Sequence, residues 1–181
     1  MNNSLLFWLV FLGVLGLWML GARNRVVALR AAILTAWAQV DQALQTRGEA
    51  IAALLLAVTE TLHTEFAALD AVAQAQAQVE TAREALRRKP VLHEAVADLS
   101  KADAVLAAVM VRLISLVEQH SALLAEPTVK EPLKVLRELP PRLAFCRQMF
   151  NEAGLAYNQA VTQFPTRLLS SVFRFGQAGK L

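Results

Sequence analysis

The fold is decided by residues 142–165, RLAFCRQMFNEAGLAYNQAVTQFP. Apolar or small residues recur through this stretch at steps of three or four, which is the spacing of one helix face with a period near 3.5. The stripe contains Leu143, Cys146, Phe150, Gly154, Tyr157, Val161 and Phe164. We therefore predict a long helix with a buried stripe. Phe164-Pro165 should end it, because the residue before a proline is pushed out of the α region.

Two asparagines lie along one edge of this stripe. Asn151 and Asn158 each follow an aromatic residue, and Arg147 lies one turn before Asn151. An asparagine beside a helix seam more often forms an internal hydrogen bond than a ligand site, and both interpretations stay open here. Arg147, Asn151 and Asn158 are therefore candidate interaction residues.

The two aromatic-Asn pairs followed by Phe-Pro resemble the LemA family of bacterial membrane proteins. Pro141 departs from that pattern, since the family usually has a glutamate there. The positions that match closely are Arg142, Leu143, Ala144, Arg147, Phe150, Asn151, Tyr157, Asn158, Phe164 and Pro165. A second stretch resembles the family at Arg23, Asn24, Val26, Trp37, Gln39, Val40, Asp41, Leu44 and Arg47. The resemblance implies a helical membrane protein of a family with no established catalytic activity.

The composition indicates an all-α protein. Hydrophobic residues make up 56% of the 181 residues, alanine and leucine are abundant, and there are only 7 glycines. The net charge of +3 is small and dispersed, and no basic stripe with interleaved aromatics predicts a nucleic-acid partner. The single cysteine, Cys146, lies on the apolar stripe, so a core position is favoured over a reactive thiol.

The N-terminal region contains an apolar run that predicts a membrane anchor. Residues 5–22 are apolar or small, and about 18 residues at 1.5 Å each are just long enough to cross a bilayer. A cleaved signal peptide is the alternative, but residues 1–4 lack the expected basic region. Arg23, Arg25 and Arg30 follow the run as candidate membrane-surface residues and favour a cytoplasmic C-terminal domain over a periplasmic one.

The expected domain organisation has four parts. Residues 1–4 form a short extracytoplasmic N-terminus, residues 5–22 a transmembrane helix, residues 23–165 a LemA-like helical bundle, and residues 166–181 a basic, apolar tail. The tail either lies on an anionic membrane surface or packs back against the bundle. The predicted fold is an antiparallel bundle of three long, coiled-coil-like helices plus this short amphipathic segment.

The first bundle helix is predicted to run from Arg23 to Lys89, because that stretch has no proline and only Gly48 as a glycine. Helices folded back from a far tip at Lys89-Pro90 would be too short to cover all of it. The stretch 26–51, with Trp37, would then expose an apolar stripe, which favours binding to another copy or to a different membrane protein. The alternative is a break near Gly48 that gives a compact four-helix bundle. Asp41 and Arg47 either face solvent or fix how the helices pair.

The second and third helices are predicted from heptad spacing and prolines. The second runs from about His93 to Glu126, with Asp103 and His120 as polar members that either set the register or lie at the seam edge in water. A turn follows at residues 125–132, the third helix begins near Leu133, and Pro140-Pro141 should kink or break it.

The sequence contains no catalytic, phosphate-binding or metal-binding motif, so we expect no enzyme and no cofactor. The leading hypothesis is a membrane-anchored scaffold that self-associates and organises or shapes the bacterial inner membrane, with the lipid bilayer as one partner. The alternative is an adaptor that binds a partner membrane protein such as a protease or a signalling protein. An enzyme of unrecognised type is the third. The candidate interaction residues are Trp37, Asp41, Arg47, Arg147, Asn151 and Asn158.

Overall fold

The computed structural model of the chain describes residues 3–90, 92–163 and 177–181, with side chains from residue 6. These residues form helices and no strand, which confirms the all-α fold class. The elements are α1 (Asn3–Val58), a short 3₁₀ turn (His63–Glu65), α2 (Phe66–Arg88), α3 (His93–Gln119), α4 (Ser121–Ala125) and α5 (Pro127–Thr162). The predicted end of the last long helix at Phe164-Pro165 lies outside the described residues, and the described helix ends at Thr162.

Four long helices form an up-down-up-down bundle. α1 packs along α5, α2 packs along α3, and the two pairs meet where α1 contacts α2. The stripe predicted in α5 is buried from Leu143 to Val161, which confirms the helical period for the described part. In the centre, the rings of Trp37 and Phe150 meet edge to face with centroids 6.2 Å apart.

The first long helix is shorter than predicted and turns back earlier. α1 ends at Val58, and residues 59–65 form the turn into α2. The turn is rich in threonine, and the Thr59 hydroxyl donates a hydrogen bond to the main-chain oxygen of Leu55. Such side-chain bonds to the backbone compete with continuing the helix. The Lys89-Pro90 turn therefore lies toward the N-terminal side of the bundle, and not at its far tip as predicted.

This early reversal buries the stripe that a continuous helix would have exposed. The prediction of a solvent-exposed apolar stripe over residues 26–51 is wrong, since the large side chains of the stripe are buried except that of Leu29, which is partly buried and packs against the core. Burying each of these side chains contributes about 1.5–3 kcal/mol, which favours the compact bundle. The buried members are Val26, Ile33, Trp37, Val40, Leu44 and Ile51.

α1 continues through Gly48, so the alternative break near this glycine is also wrong in position. Gly48 instead lies where α2 comes close. A Cβ at this position would lie 2.6 Å from Nε2 of Gln76 on α2. The alternative four-helix bundle is therefore correct in architecture, but the chain reverses after Val58.

The N-terminal part of α1 has the composition of a membrane span. It contains an 18-residue window with a mean hydropathy of 1.8, none of which is buried within the protein. By length and apolar composition this segment can cross a membrane. This segment and the part of α1 that packs in the bundle form one continuous helix, Asn3–Val58.

The second long helix also ends earlier than predicted. α3 stops at Gln119, and His120 has an extended backbone with φ −106° and ψ 90°. After this break the buried position moves by one residue, so that Leu123 is fully buried and Leu124 only partly. His120 is exposed, as the seam-edge interpretation expected.

The last long helix is continuous at Pro140-Pro141, where the sequence predicted a kink or a break. α5 begins at Pro127, earlier than the predicted Leu133, and includes Pro132, Pro140 and Pro141. A proline at the first helical turn is favourable, whereas an interior proline destabilises a helix by about 3 kcal/mol. Leu136, Leu139 and Leu143 are buried on both sides of the proline pair. Their packing holds the two halves of α5 in one helix against α1.

Candidate functional site

Asp103 joins three helices through two arginines. Its Oδ1 accepts a hydrogen bond from Arg47 of α1, and its Oδ2 accepts one from Arg147 of α5, each at 2.5 Å. The Asp103 side chain is only 13% exposed, so the ion pairs are largely shielded from water. Asp103 therefore does not reach water freely as a seam-edge residue would. It ties α3 to the α1–α5 pair in one register.

Asp41 makes a second interhelical contact of the same kind. Its Oδ1 accepts a hydrogen bond from Nη1 of Arg83 on α2 at 2.6 Å, and the Nε of Arg83 donates to Glu80 at 2.9 Å. Arg83 is the buried charged residue of the described chain. The hydrogen bond from Arg83 lowers the pKa of Glu80, and the bond to Glu80 raises the pKa of Arg83 further above its ordinary value.

Asp41 and Arg47 point to different helices because they are six residues apart. Six residues rotate a helix by about 600°, so the two side chains point in directions about 120° apart. Asp41 meets α2, and Arg47 meets α3. Both residues thus lie in contacts between helices of one chain. This geometry is the second of the two interpretations given for them, in which polar contacts fix how neighbouring helices pair.

Trp37 was expected on an exposed stripe, but it is a core residue. Its side chain is 4% exposed and contacts Phe150, and the indole N–H has no hydrogen-bond partner among the described residues. The reason for the difference is the early reversal after Val58, which covers this part of α1. Trp37 is therefore not an accessible interaction residue in this fold.

Asn151 and Asn158 bind the main chain of residues 177–181. The side-chain amide of Asn158 donates to the oxygen of Ala178 at 3.0 Å, and its Oδ1 accepts from the Ala178 N–H at 2.7 Å. Asn151 makes the same two bonds with Leu181, both at 2.8 Å. Each asparagine thus satisfies both polar groups of one backbone residue. We call Asn151, Gly154 and Asn158 the asparagine cradle.

The spacing of the cradle fits an extended chain. Seven residues of α-helix rise about 10.5 Å, and three residues of an extended chain cover about 9–10 Å. In a polyproline II helix, residues three apart also point to the same side, because that helix has three residues per turn. Ala178 can therefore face Asn158 while Leu181 faces Asn151, with the segment running in the opposite direction to the helix.

The cradle accepts only small residues at its middle. A Cβ on Gly179 would lie 2.8 Å from Cβ of Val96 and 3.1 Å from Cα of His93, so α3 leaves no room for a side chain there. On the other side, the position of a Cβ on Gly154 lies 3.5 Å from Cβ of Ala178. The segment thus passes between α3 and α5 through a slot that fits Ala-Gly.

An open cleft lies next to the cradle between α3 and α5. It has a volume of about 320 Å³ and begins at the Asp103 ion pairs. Its walls are mainly apolar, and Val111 at its edge is 70% exposed. Other residues that line it are Leu106, Met110, Ile114, Leu136, Leu139 and Leu143.

The candidate membrane-surface residues Arg23, Arg25 and Arg30 are exposed on α1, directly after the apolar segment. Arg30 also lies near Tyr157 of α5, where its charge opposes the effect of burial, which raises the pKa of the tyrosine hydroxyl. These arginines do not contribute to the asparagine cradle or to the Asp103 contacts.

The described residues contain no cluster of three or more His, Cys, Asp or Glu side chains that could hold a metal ion. His63 and His120 each contact a main-chain oxygen of their own turn, at 3.0 Å and 2.9 Å. Cys146 is buried in the core, as predicted from its place on the stripe. The polar groups of the bundle therefore join helices and bind backbone.

Sequence reasoning missed two parts of this arrangement. Arg83 was not among the candidate residues, although Glu80 three residues before it was a visible partner. The Ala178–Leu181 segment was considered only as part of a tail with two possible positions. Residues 177–181 pack against the bundle, and the rest of the predicted tail, residues 166–176, lies outside the described residues.

A comparison with known protein families matches most of this chain. The sequence model of the LemA family matches residues 36–181, which is most of the chain and includes the cradle and both ion-pair contacts. The chain belongs to the LemA family. No curated protein matches this LemA family member.

Proposed function

We propose that this LemA family protein is a non-catalytic, membrane-anchored scaffold that self-associates and organises or shapes the bacterial inner membrane. The observation that carries the proposal is the continuity of α1. One helix contains both the segment that can cross a membrane and the buried seam of the bundle. Movement or assembly of the bundles would therefore be transmitted directly to the anchors.

The early reversal of the chain changes where self-association can occur. The stretch 26–51 was the first candidate surface, and it is now covered by α5 and α2. Contacts between copies must therefore use other surfaces of the bundle or the two ends of the chain. Light scattering of full-length protein in mild detergent tests self-association, and a monomer at every concentration would contradict it.

The proposed orientation places the N-terminus outside and the bundle in the cytoplasm, because Arg23, Arg25 and Arg30 follow the span. Two single-cysteine proteins test it in a Cys146→Ser background. Ser4→Cys should react with a membrane-impermeant maleimide in intact cells, and Glu138→Cys should react only after lysis. Glu138 is exposed on α5, so the folded bundle does not shield it. The reverse labelling pattern would refute this orientation.

A second candidate function is a membrane-tethered adaptor that binds a partner protein. The open apolar cleft between α3 and α5 favours it, since clefts of this kind accept apolar side chains. A photoreactive amino acid at Ala107, which lines the cleft, would test it in membranes. Ala104 is the matched control, because it is exposed on the same helix outside the cleft. A crosslink to one different protein from position 107 alone would favour the adaptor.

A further inference from the structure

We infer that the asparagine cradle is also a binding site for the Ala178–Leu181 segment of a second copy, so that neighbouring chains exchange these segments. The inference deepens the proposed function and rests on it, because it gives self-association a contact. The first argument is that all four hydrogen bonds of Asn151 and Asn158 go to backbone groups. The same bonds form whichever chain supplies the segment.

The second argument is the fit of the slot. Gly179 is the residue that α3 allows at that point, since any side chain would meet Val96 and His93. Ala178 is buried, and a Cβ added at Gly154 would lie at van der Waals distance, 3.5 Å, from the Cβ of Ala178. A segment that enters the cradle therefore needs a small residue followed by glycine. The chain's own Ala178-Gly179 satisfies this requirement, and every other copy carries the same pair.

The third argument is the length of the connection. Residues 164–176 number 13, and any chain of that many residues spans at most roughly 43 Å. The distance that the chain must cover from Gln163 to its own cradle is much shorter. Asn158, which contacts Ala178, lies only about 8 Å along the helix from Gln163. The connection is therefore long enough for the segment to reach an adjacent copy, and exchange of an identical element creates no new type of contact.

The membrane supplies the condition that allows exchange to compete with the intramolecular contact. A tethered segment has a high effective concentration at its own cradle. Anchored copies that gather in one membrane raise the concentration of competing segments in the same way. Reciprocal exchange between two chains would give a closed dimer, whereas successive exchange would give a chain of bundles.

A covalent trap tests the exchange. The Cβ position at Gly154 lies 3.5 Å from Cβ of Ala178, which is within the range for a disulfide. One chain would carry Gly154→Cys with Gly179→Val, which prevents its own segment from entering. A second, differently tagged chain would carry Ala178→Cys, and both would carry Cys146→Ser. They are co-reconstituted in phosphatidylethanolamine and phosphatidylglycerol vesicles and oxidised.

We expect a covalent heterodimer that contains both tags. A matched second chain with Lys180→Cys in place of Ala178→Cys should give at most about a tenth of this heterodimer, since Lys180 is exposed and none of its atoms lies within 4 Å of the Cβ position at Gly154. A single chain with both Gly154→Cys and Ala178→Cys should close within itself. That control shows that the cradle forms in these vesicles.

Two results would overturn the inference. If the double-cysteine chain closes but no heterodimer forms, the segment binds only within its own chain. Failure of the double-cysteine chain to close would show that the cradle does not form, and it would also refute the exchange. If wild-type protein still assembles in any of these cases, the scaffold proposal stands without exchange.

Discussion

The ion pairs of Asp103 allow a quantitative test of what holds the four helices in register. Replacing Asp103 with asparagine keeps the shape of the side chain but removes the charge that faces Arg47 and Arg147. The exposed fractions are 13% for Asp103, 15% for Arg47 and 32% for Arg147. The burial of these ion pairs is therefore intermediate between that of a surface ion pair and that of a fully buried one. Surface pairs contribute about 0–1 kcal/mol, and breaking a buried pair costs about 3–5 kcal/mol.

We therefore expect Asp103→Asn to lower the free energy of unfolding by about 2 kcal/mol, since two arginines lose their shared partner. For a protein of this size the melting temperature should fall by about 4–8 °C. Thermal unfolding followed by circular dichroism in detergent measures the shift. Asp98→Asn is the matched control, because Asp98 is exposed on the same helix, and it should change stability by less than about 0.5 kcal/mol.

A triple variant separates the charge effect from loss of packing. Asp103→Leu alone leaves two guanidinium groups without a carboxylate, whereas adding Arg47→Met and Arg147→Met removes both. The triple variant should be more stable than Asp103→Leu, partly because Nε of Arg47 is already buried without a hydrogen-bond partner. Equal melting temperatures for Asp103→Asn and Asp98→Asn would refute the proposed role of Asp103.

Three further predictions concern buried groups near the α1–α5 seam. Trp37→Ala should reduce stability in denaturant unfolding by about 3–5 kcal/mol, and Trp37→Phe by clearly less, because it keeps a ring against Phe150 and removes an unpaired N–H; equal losses would contradict this. Burial raises the pKa of Tyr157, so its contribution is complete below about pH 10 and is lost as the pH rises through the folded-state pKa. Tyr157→Phe should thus unfold less readily than wild type in an alkaline titration. Cys146 should react with a maleimide at least about tenfold more slowly in native protein than in urea, since it is buried, and equal rates would place it at the surface.

The helical faces of this protein were predictable from local patterns. The stripe over residues 143–161 follows a period that a single helix face imposes, and all of its described members are buried. The sequence also indicated Arg147 and the two asparagines as polar residues beside that stripe, and Asp41 and Arg47 as polar residues of the first helix. Side-chain type and spacing were sufficient for this, because a helix places residues three and four apart on one face.

The ends of the helices were much less predictable. The reversal at residues 59–65 contains neither glycine nor proline, so it lacked the usual turn residues. Conversely, Pro140-Pro141 favoured an interruption, but α5 is continuous there. In both places the burial of distant side chains outweighed the local preference. Helix propensity differs by fractions of a kcal/mol for most residues, whereas burying one large side chain contributes more.

The sequence alone therefore determined the fold class, the N-terminal segment that can cross a membrane, the buried faces of the helices and the LemA pattern, because each depends on residue type and periodicity. Only the tertiary structure decided that the stripe at 26–51 is covered, that Asp103 joins three helices, and that Ala178–Leu181 lies in the asparagine cradle. These features depend on which distant segments meet. Asn158 and Ala178 are 20 residues apart, and nothing in either local sequence specifies that their amide groups pair.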